Sequence, residues 1–132
     1  MKLERINYDE LNPKAQEMFN FQKASAKLAD YGFTTMWLNN DWLGADFLAV
    51  HVDGSTYLKV QLKGRLSFNR KYREKNIYIC FISDGETYLY PHDLILNEIE
   101  SRISDKTWLE KGTWSSPNLN QKNKQLLKPY LL

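Results

Sequence analysis

One cysteine and two histidines are scarce material for a chain of 132 residues, and the scarcity excludes several kinds of protein. Cys80 alone cannot form a disulfide within the chain. One thiol with the distant His51 and His92 cannot build a zinc site either. No apolar run approaches the roughly 18 residues that a membrane span requires, and Met1-Lys-Leu-Glu-Arg5 lacks the apolar stretch of a secretion signal. The expected location is the cytoplasm, with no membrane partner. Also missing are a Gly-rich phosphate loop, a dinucleotide fingerprint and a Ser-His-Asp order. A net charge of only +2 says little by itself about partners.

What is present describes a self-sufficient core. Hydrophobic residues make up 42% and charged residues 26%, which excludes disorder and fits one domain spanning residues 1–132. Aromatics reach 14%, so Tyr and Trp should be prominent inside. Cys80 lies in the run Ile77-Tyr-Ile-Cys-Phe-Ile82 and reads as a buried, inert thiol.

The clearest element is a helix opened by Asn12 as N-cap and Pro13 as first residue, and stopped by Gly32. Ala15, Met18, Phe19, Ala26, Leu28 and Ala29 form its apolar side. Residues 33–38 read as a strand, Asn39-Asn40-Asp41 as a turn, and 46–52 as the next strand. Asp53-Gly54 is the strongest hairpin signal, returning as a strand over 56–63. A basic connection leads to residues 76–83, a continuous apolar strand expected to be interior. Asp84-Gly85 turns it into a shorter strand over 86–90, ended by Pro91. A second helix is predicted over 93–103, with Asp93 as cap and Leu94, Ile95, Ile99 and Ile103 inward. Residues 112–120 read as loop, and a short amphipathic helix over 121–127 precedes Pro129. The order predicts an α/β (α+β) domain around a mixed sheet.

The hairpin makes a geometric prediction. With Asp53-Gly54 as a two-residue turn, the numbers of paired residues sum to 107, which sets Asp46 opposite Gln61. Cross-strand partners share a face, with Cβ atoms about 4.5–5.5 Å apart. Lys63, two residues beyond Gln61, shares that face. A wider turn with a sum of 109 sets Asp46 opposite Lys63 instead. Both registers gather the same three side chains, whereas a slip of one residue scatters them. Phe47, Ala49, Leu58, Val60 and Leu62 fall on the other face, as an apolar surface to bury. A carboxylate and an amide oxygen are hard ligands suited to Mg²⁺ or Mn²⁺. A lysine beside them can orient water or stabilise a developing oxyanion. Phosphodiester hydrolysis needs little else.

Gly44-Ala-Asp46 followed by Val60-Gln-Leu-Lys63 resembles the Asp…(Glu/Gln)-x-Lys signature of the PD-(D/E)XK nuclease superfamily. The Gln-x-Lys form is similar to that of Mrr-type restriction nucleases. The stretch Phe21-Gln-Lys-Ala-Ser-Ala-Lys-Leu-Ala-Asp-Tyr-Gly-Phe33 resembles the helix that carries an acidic residue in resolvase-like members. The resemblance covers roughly residues 21–90. It implies a restriction-endonuclease-like mixed β-sheet core flanked by helices. It also implies an Mg²⁺- or Mn²⁺-dependent endonuclease acting on nucleic acid, DNA before RNA. Asp46 and Gln61 would sit at the metal and Lys63 at the reacting phosphate, with Gln22 completing the catalytic set at the helix position. Two departures from the pattern are visible. Gln61 carries one negative charge fewer than the commoner Glu, and Gln22 stands where an acid is usual. Glu17 is the nearest upstream acid, more than a helical turn away, and Asp41 offers a carboxylate from the loop.

Between Lys59 and Lys75 lie seven cations against Glu74 alone, with Phe68 and Tyr72 interleaved. Of these, Arg65, Arg70, Lys71 and Arg73 are the candidate nucleic-acid contacts. Trp42 is placed near the proposed site, and His51 and His92 read as structural or exposed. Three classes remain open: a metal-dependent nuclease, a non-catalytic nucleic-acid-binding relative, and a protein-interaction module. A homodimer is compatible with each.

Overall fold

The computed structural model describes the backbone of all 132 residues and every side chain except those of Asp41 and Trp42. Helix α1 (Pro13–Ala29) starts where its N-cap predicts: Asn12 Oδ1 accepts the Ala15 N–H at 2.8 Å. Its buried stripe is narrower than the composition suggests. Ala24 and Leu28 are buried and Phe21 half-buried, while Ala26 and Ala29 face solvent. Strand β1 (Phe33–Trp42) runs through the expected turn at Asn39-Asn40-Asp41, with a register shift between Trp37 and Trp42. The chain reverses instead at Leu43 and Gly44, both with positive φ (54° and 87°), as a two-residue primed turn requires.

Strands β2 (Ala45–His51) and β3 (Tyr57–Leu62) pair antiparallel, Phe47 with Val60 and Val50 with Tyr57. The register sum of 107 is therefore the observed one. The connection differs from expectation: four residues, Val52 to Ser55, lie between the bonded pair His51 and Thr56. The loop widens about the same centre, so the register is unchanged. The Asp53 carboxylate organises it, accepting Ser55 N–H, Thr56 N–H and the Thr56 hydroxyl at 2.6–2.8 Å. Those bonds hold its pKa far below the ordinary carboxylate range, the Thr56 hydroxyl contributing most.

The basic connection is built, not loose. It contains β4 (Leu66–Asn69) and a 3-10 turn, Arg70–Tyr72, before β5 (Ile77–Ser83). β5 lies parallel to β3 and antiparallel to β6 (Glu86–Pro91), so the main sheet is mixed, in the order β1-β2-β3-β5-β6. The second helix, α2 (His92–Ile99), is shorter than predicted. Leu96 is buried in place of Leu94, and Ile103 is buried beyond a following 3-10 turn. Asp93 does not cap α2; Pro91 holds the N-cap position. Helix α3 (Lys106–Lys111) precedes the expected loop, which itself contains β7 (Thr113–Ser116), paired with β4 in a separate two-stranded sheet. Helix α4 (Gln121–Leu127) forms as predicted, capped by Asn120.

Helix α1 covers one face of the main sheet, packing Ala24 and Leu28 on Phe47, Ala49, Val60, Leu62 and Cys80. On the other face α2, α3, α4 and the small sheet pack around Ile79, Phe81, Tyr88 and Tyr90. Burial pushes the Cys80 thiol up to about 12, so it is protonated and unreactive at neutral pH. Phe47 is fully buried under α1. Phe47→Ala is expected to cost about 3–5 kcal/mol, read as a lowered urea midpoint. Val52→Ala, in the exposed loop, should change stability by less than about 0.5 kcal/mol.

Candidate active site

The site lies where the β2–β3 ladder stops. Hydrogen-bonded positions alternate along an antiparallel pair. From His51–Thr56, that alternation passes through Ala49–Leu58 to Phe47–Val60. The next bonded pair would be Ala45 with Leu62, but Ala45 pairs with Trp42 on its other side. The Leu62 N–H turns instead to the Asp46 side chain, donating to Oδ2 at 2.8 Å. Asp46 thus stands between two separating strands, half-buried and held from its own carboxylate. Gln61, which precedes the bonded Leu62, is half-buried and pairs in register with Ile79 of β5. Lys63 donates its backbone N–H to the Cys80 carbonyl at 2.8 Å. Its ammonium lies 5.5 Å from the ring centre of buried Tyr72, within cation–π range. The structure therefore brings Asp46, Gln61 and Lys63 to one strand end.

Helix α1 contributes a wall that the residue pattern only half disclosed. Tyr8, Glu17, Asn20, Leu62 and Lys63 are among the residues lining a cavity of about 180 Å³. Glu17 is on the same helical stripe as Phe21, Ala24 and Leu28, four residues before the first of them, and is half-buried. Extending that stripe backward is the signal that finds it. Its carboxylate accepts from the Lys14 ammonium at 2.9 Å. Gln22, the expected helix residue, is exposed and lines a different side of α1. Tyr8 was not anticipated either: its hydroxyl oxygen accepts from Asn20 Nδ2 at 2.8 Å, fastening the N-terminal 3-10 turn over the cavity. Asp41 and Trp42 lie outside the described side chains.

As a metal site this donor set is lean. Among the described residues, no three His, Cys, Asp or Glu side chains stand together as a metal cluster. Asp46 supplies one carboxylate and Gln61 one neutral amide oxygen. That fits Mg²⁺ or Mn²⁺, which keep several waters and take substrate phosphate as further ligands. It does not fit a cage made of protein alone.

Comparison with known proteins agrees at the level of fold. No protein-family model matches the chain, and no curated protein sequence matches it. Among solved structures, the bacterial homing endonuclease I-Ssp6803I superposes with a TM-score of 0.52 over 91% of this chain and 86% of its own, at 17% identity. A Holliday junction resolvase from the archaeal hyperthermophile Archaeoglobus fulgidus superposes more loosely, with a TM-score of 0.47 over 60% of this chain and 75% of its own, at 14% identity. The chain shares the fold of a homing endonuclease.

The basic segment beside the strand end is only partly free. Arg73 forms an ion pair with Glu100. The Arg70 guanidinium lies 4.7 Å from the centre of the Trp108 ring, and the Arg70 backbone N–H donates to the Gly112 carbonyl. Lys71 lies over Tyr72 at 5.2 Å, on the ring that also faces Lys63. Arg65 is exposed. No described helix is long and apolar enough to cross a membrane.

Beneath this segment, His92 is fully buried and structural. Its Nδ1 lies 2.8 Å from Asp93 Oδ1, and its Nε2 accepts the Asn69 N–H at 3.1 Å, which defines the neutral Nδ1–H tautomer. Asp93 Oδ2 accepts the Glu74 N–H at 2.9 Å. Burial lowers the His92 pKa below the ordinary value, outweighing the opposing effect of Asp93. Because the folded-state value is depressed, protonation favours the unfolded chain. The stability His92 contributes is present above the ordinary value of about 6.5 and lost as pH falls below it. The urea midpoint should therefore decline from pH 7.5 to 5.5. His92→Gln should lower it at pH 7.5 and flatten the decline; an unchanged slope would place the titration elsewhere.

Proposed function

We propose that this chain is an Mg²⁺- or Mn²⁺-dependent endonuclease of nucleic acid, DNA before RNA, of the PD-(D/E)XK type with a Gln-x-Lys motif. The observation that carries the reading is the Asp46 carboxylate bonded to the Leu62 N–H at the end of β3, between Gln61 and Lys63 in the chain. A fold shared with a homing endonuclease supports it. Asp46 and Gln61 would hold the metal, which supplies charge neutralisation and a water of lowered pKa. Lys63 orients the attacking water or stabilises charge on the phosphate. Glu17, lining the Lys63 cavity, takes the helix position in place of Gln22. Arg65, Arg70, Lys71 and Arg73 contact the substrate, with Arg73 contributing least because Glu100 engages it.

A non-catalytic nucleic-acid binder is the second reading, favoured by the neutral Gln61 and by the Leu62 N–H already on Asp46. Cleavage of labelled DNA and RNA with each metal separates the two. Asp46→Asn should abolish cleavage while leaving binding intact or tighter, since a negative charge facing phosphate is removed. Lys63→Ala should abolish cleavage and weaken binding. Gln61→Glu should tighten metal binding. If the unaltered chain cleaves no substrate with either metal, the non-catalytic reading holds. Equal cleavage by Asp46→Asn would move the site elsewhere.

A charge test addresses the basic segment. Binding should weaken steeply between about 50 and 200 mM salt. Reversing Arg70 and Lys71 to Glu should weaken it further and reduce the salt slope. Affinity that the double reversal leaves unchanged would exclude the segment from the interface.

A further inference from the structure

Beyond Lys63 the chain passes Gly64 to Arg65, which lines a recess of about 310 Å³. The recess is lined by Arg65, Asp105, Thr107, Thr113, Trp114 and Ser115. The strand β7 contributes three of these and, among the described residues, pairs with β4 alone. Trp114 is half-buried and packs on Phe68, with ring centres 5.7 Å apart, which holds the indole in place.

Two features make the recess more than a dent in the surface. It contains a cation and an anion, yet among the described residues neither the Arg65 guanidinium nor the Asp105 carboxylate has a hydrogen-bonded or ionic partner. Asp105 also leaves its helix-capping role unfilled: it holds the N-cap position of α3 without a side-chain bond to it. The remaining walls are three hydroxyls and an indole. A phosphate would meet Arg65 favourably but be repelled by Asp105. An apolar ligand would strand both charges. The ligand that suits both presents donors on one edge, acceptors on another, and a flat face for the indole.

We propose that this recess binds an unpaired guanine base of the nucleic-acid substrate, a site that rests on the nucleic-acid reading above. Asp105 accepts from the guanine N1–H and N2–H₂ groups. Arg65 donates its two-pronged guanidinium to O6 and N7, the commonest specific pairing for this base. Trp114 supplies a face for stacking. Adenine presents a donor where Arg65 needs the O6 acceptor and lacks the N2 donor. Pyrimidines offer a smaller stacking face. Because the Watson–Crick edge is engaged, the base must be outside a duplex, as in single strands, bulges and branch points. Arg65 thus reads a base, a different role from the phosphate contacts expected of its neighbours.

The test measures binding in EDTA, independent of cleavage, by fluorescence anisotropy with single-stranded oligonucleotides differing at one central base. The guanine strand should bind roughly tenfold more tightly than the adenine strand. Inosine, which lacks the 2-amino group, and 7-deazaguanine, which lacks N7, should each lose part of that preference. Asp105→Ala should remove the discrimination between guanine and inosine, and Arg65→Lys, which keeps the charge but loses the fork, that between guanine and 7-deazaguanine. Both side chains are exposed, so thermal unfolding should be unchanged in either variant. Equal affinity for all bases, or variants that weaken every strand alike, would overturn the guanine site while leaving the nucleic-acid reading intact. Failure to bind any single strand would overturn the guanine site, and failure to bind duplex DNA and RNA as well would overturn the nucleic-acid reading.

Discussion

A single hydrogen bond marks the end of the β2–β3 ladder and the place of the candidate site. A β-ladder between two strands ends when one backbone donor finds a better acceptor than the opposing carbonyl. Here the Leu62 N–H finds Asp46 Oδ2. The exchange satisfies a backbone group that partial burial would leave costly if unpaired. It also sets Asp46 at the end of β3, where the first turns of α1 wall the cavity that Leu62 and Lys63 line. One interaction therefore both stands at the end of a structural element and orients the Asp46 carboxylate.

The two layers on the sheet divide the labour. Helix α1 seals the face carrying Phe47, Ala49 and Val60, and its first turns continue past the sealed region to wall the Lys63 cavity. The opposite layer is richer in aromatics and turns the basic connection into architecture: β4 pairs with β7, Tyr72 is buried, and His92 and Asp93 hold the backbone at Asn69 and Glu74. Cations displayed from such a scaffold have limited freedom. Arg70 on Trp108 and Arg73 with Glu100 are held by contacts that a tethered loop would not provide. Preorganisation of this kind reduces the entropy lost when a charged ligand binds.

The elements that could be read from the chain are those with a local cause. Asn12 and Pro13 specify a helix start through the orphan N–H groups of the first turn. The alternation in β2 and β3, with Asp53-Gly54 between them, specifies a hairpin and its register. That register survived a wrong turn length, because a loop can widen symmetrically without moving its centre. The elements that were misread have distant causes. Residues 66–69 and 113–116 carry little strand signal individually and become strands by pairing across more than forty positions. Asn39 to Asp41 have turn-forming side chains, yet their backbone continues β1 across the register shift between Trp37 and Trp42.

The candidate site divides along the same line. Asp46, Gln61 and Lys63 were legible because period-2 geometry and one hairpin register place side chains on a face by counting alone. That much the sequence determined by itself, together with the buried thiol of Cys80 and the mixed helix-and-sheet class. Only the tertiary structure showed that Glu17 lines the cavity beside Lys63 while Gln22 is exposed. Helix period places Glu17 and Gln22 on different sides, and the choice between them follows from which stripe α1 presses on the sheet. Only the tertiary structure, too, brought Asp105 and Trp114 beside Arg65, because contacts between residues so far apart in the chain are set by packing. Neither periodicity nor local propensity carries information about which surfaces will meet.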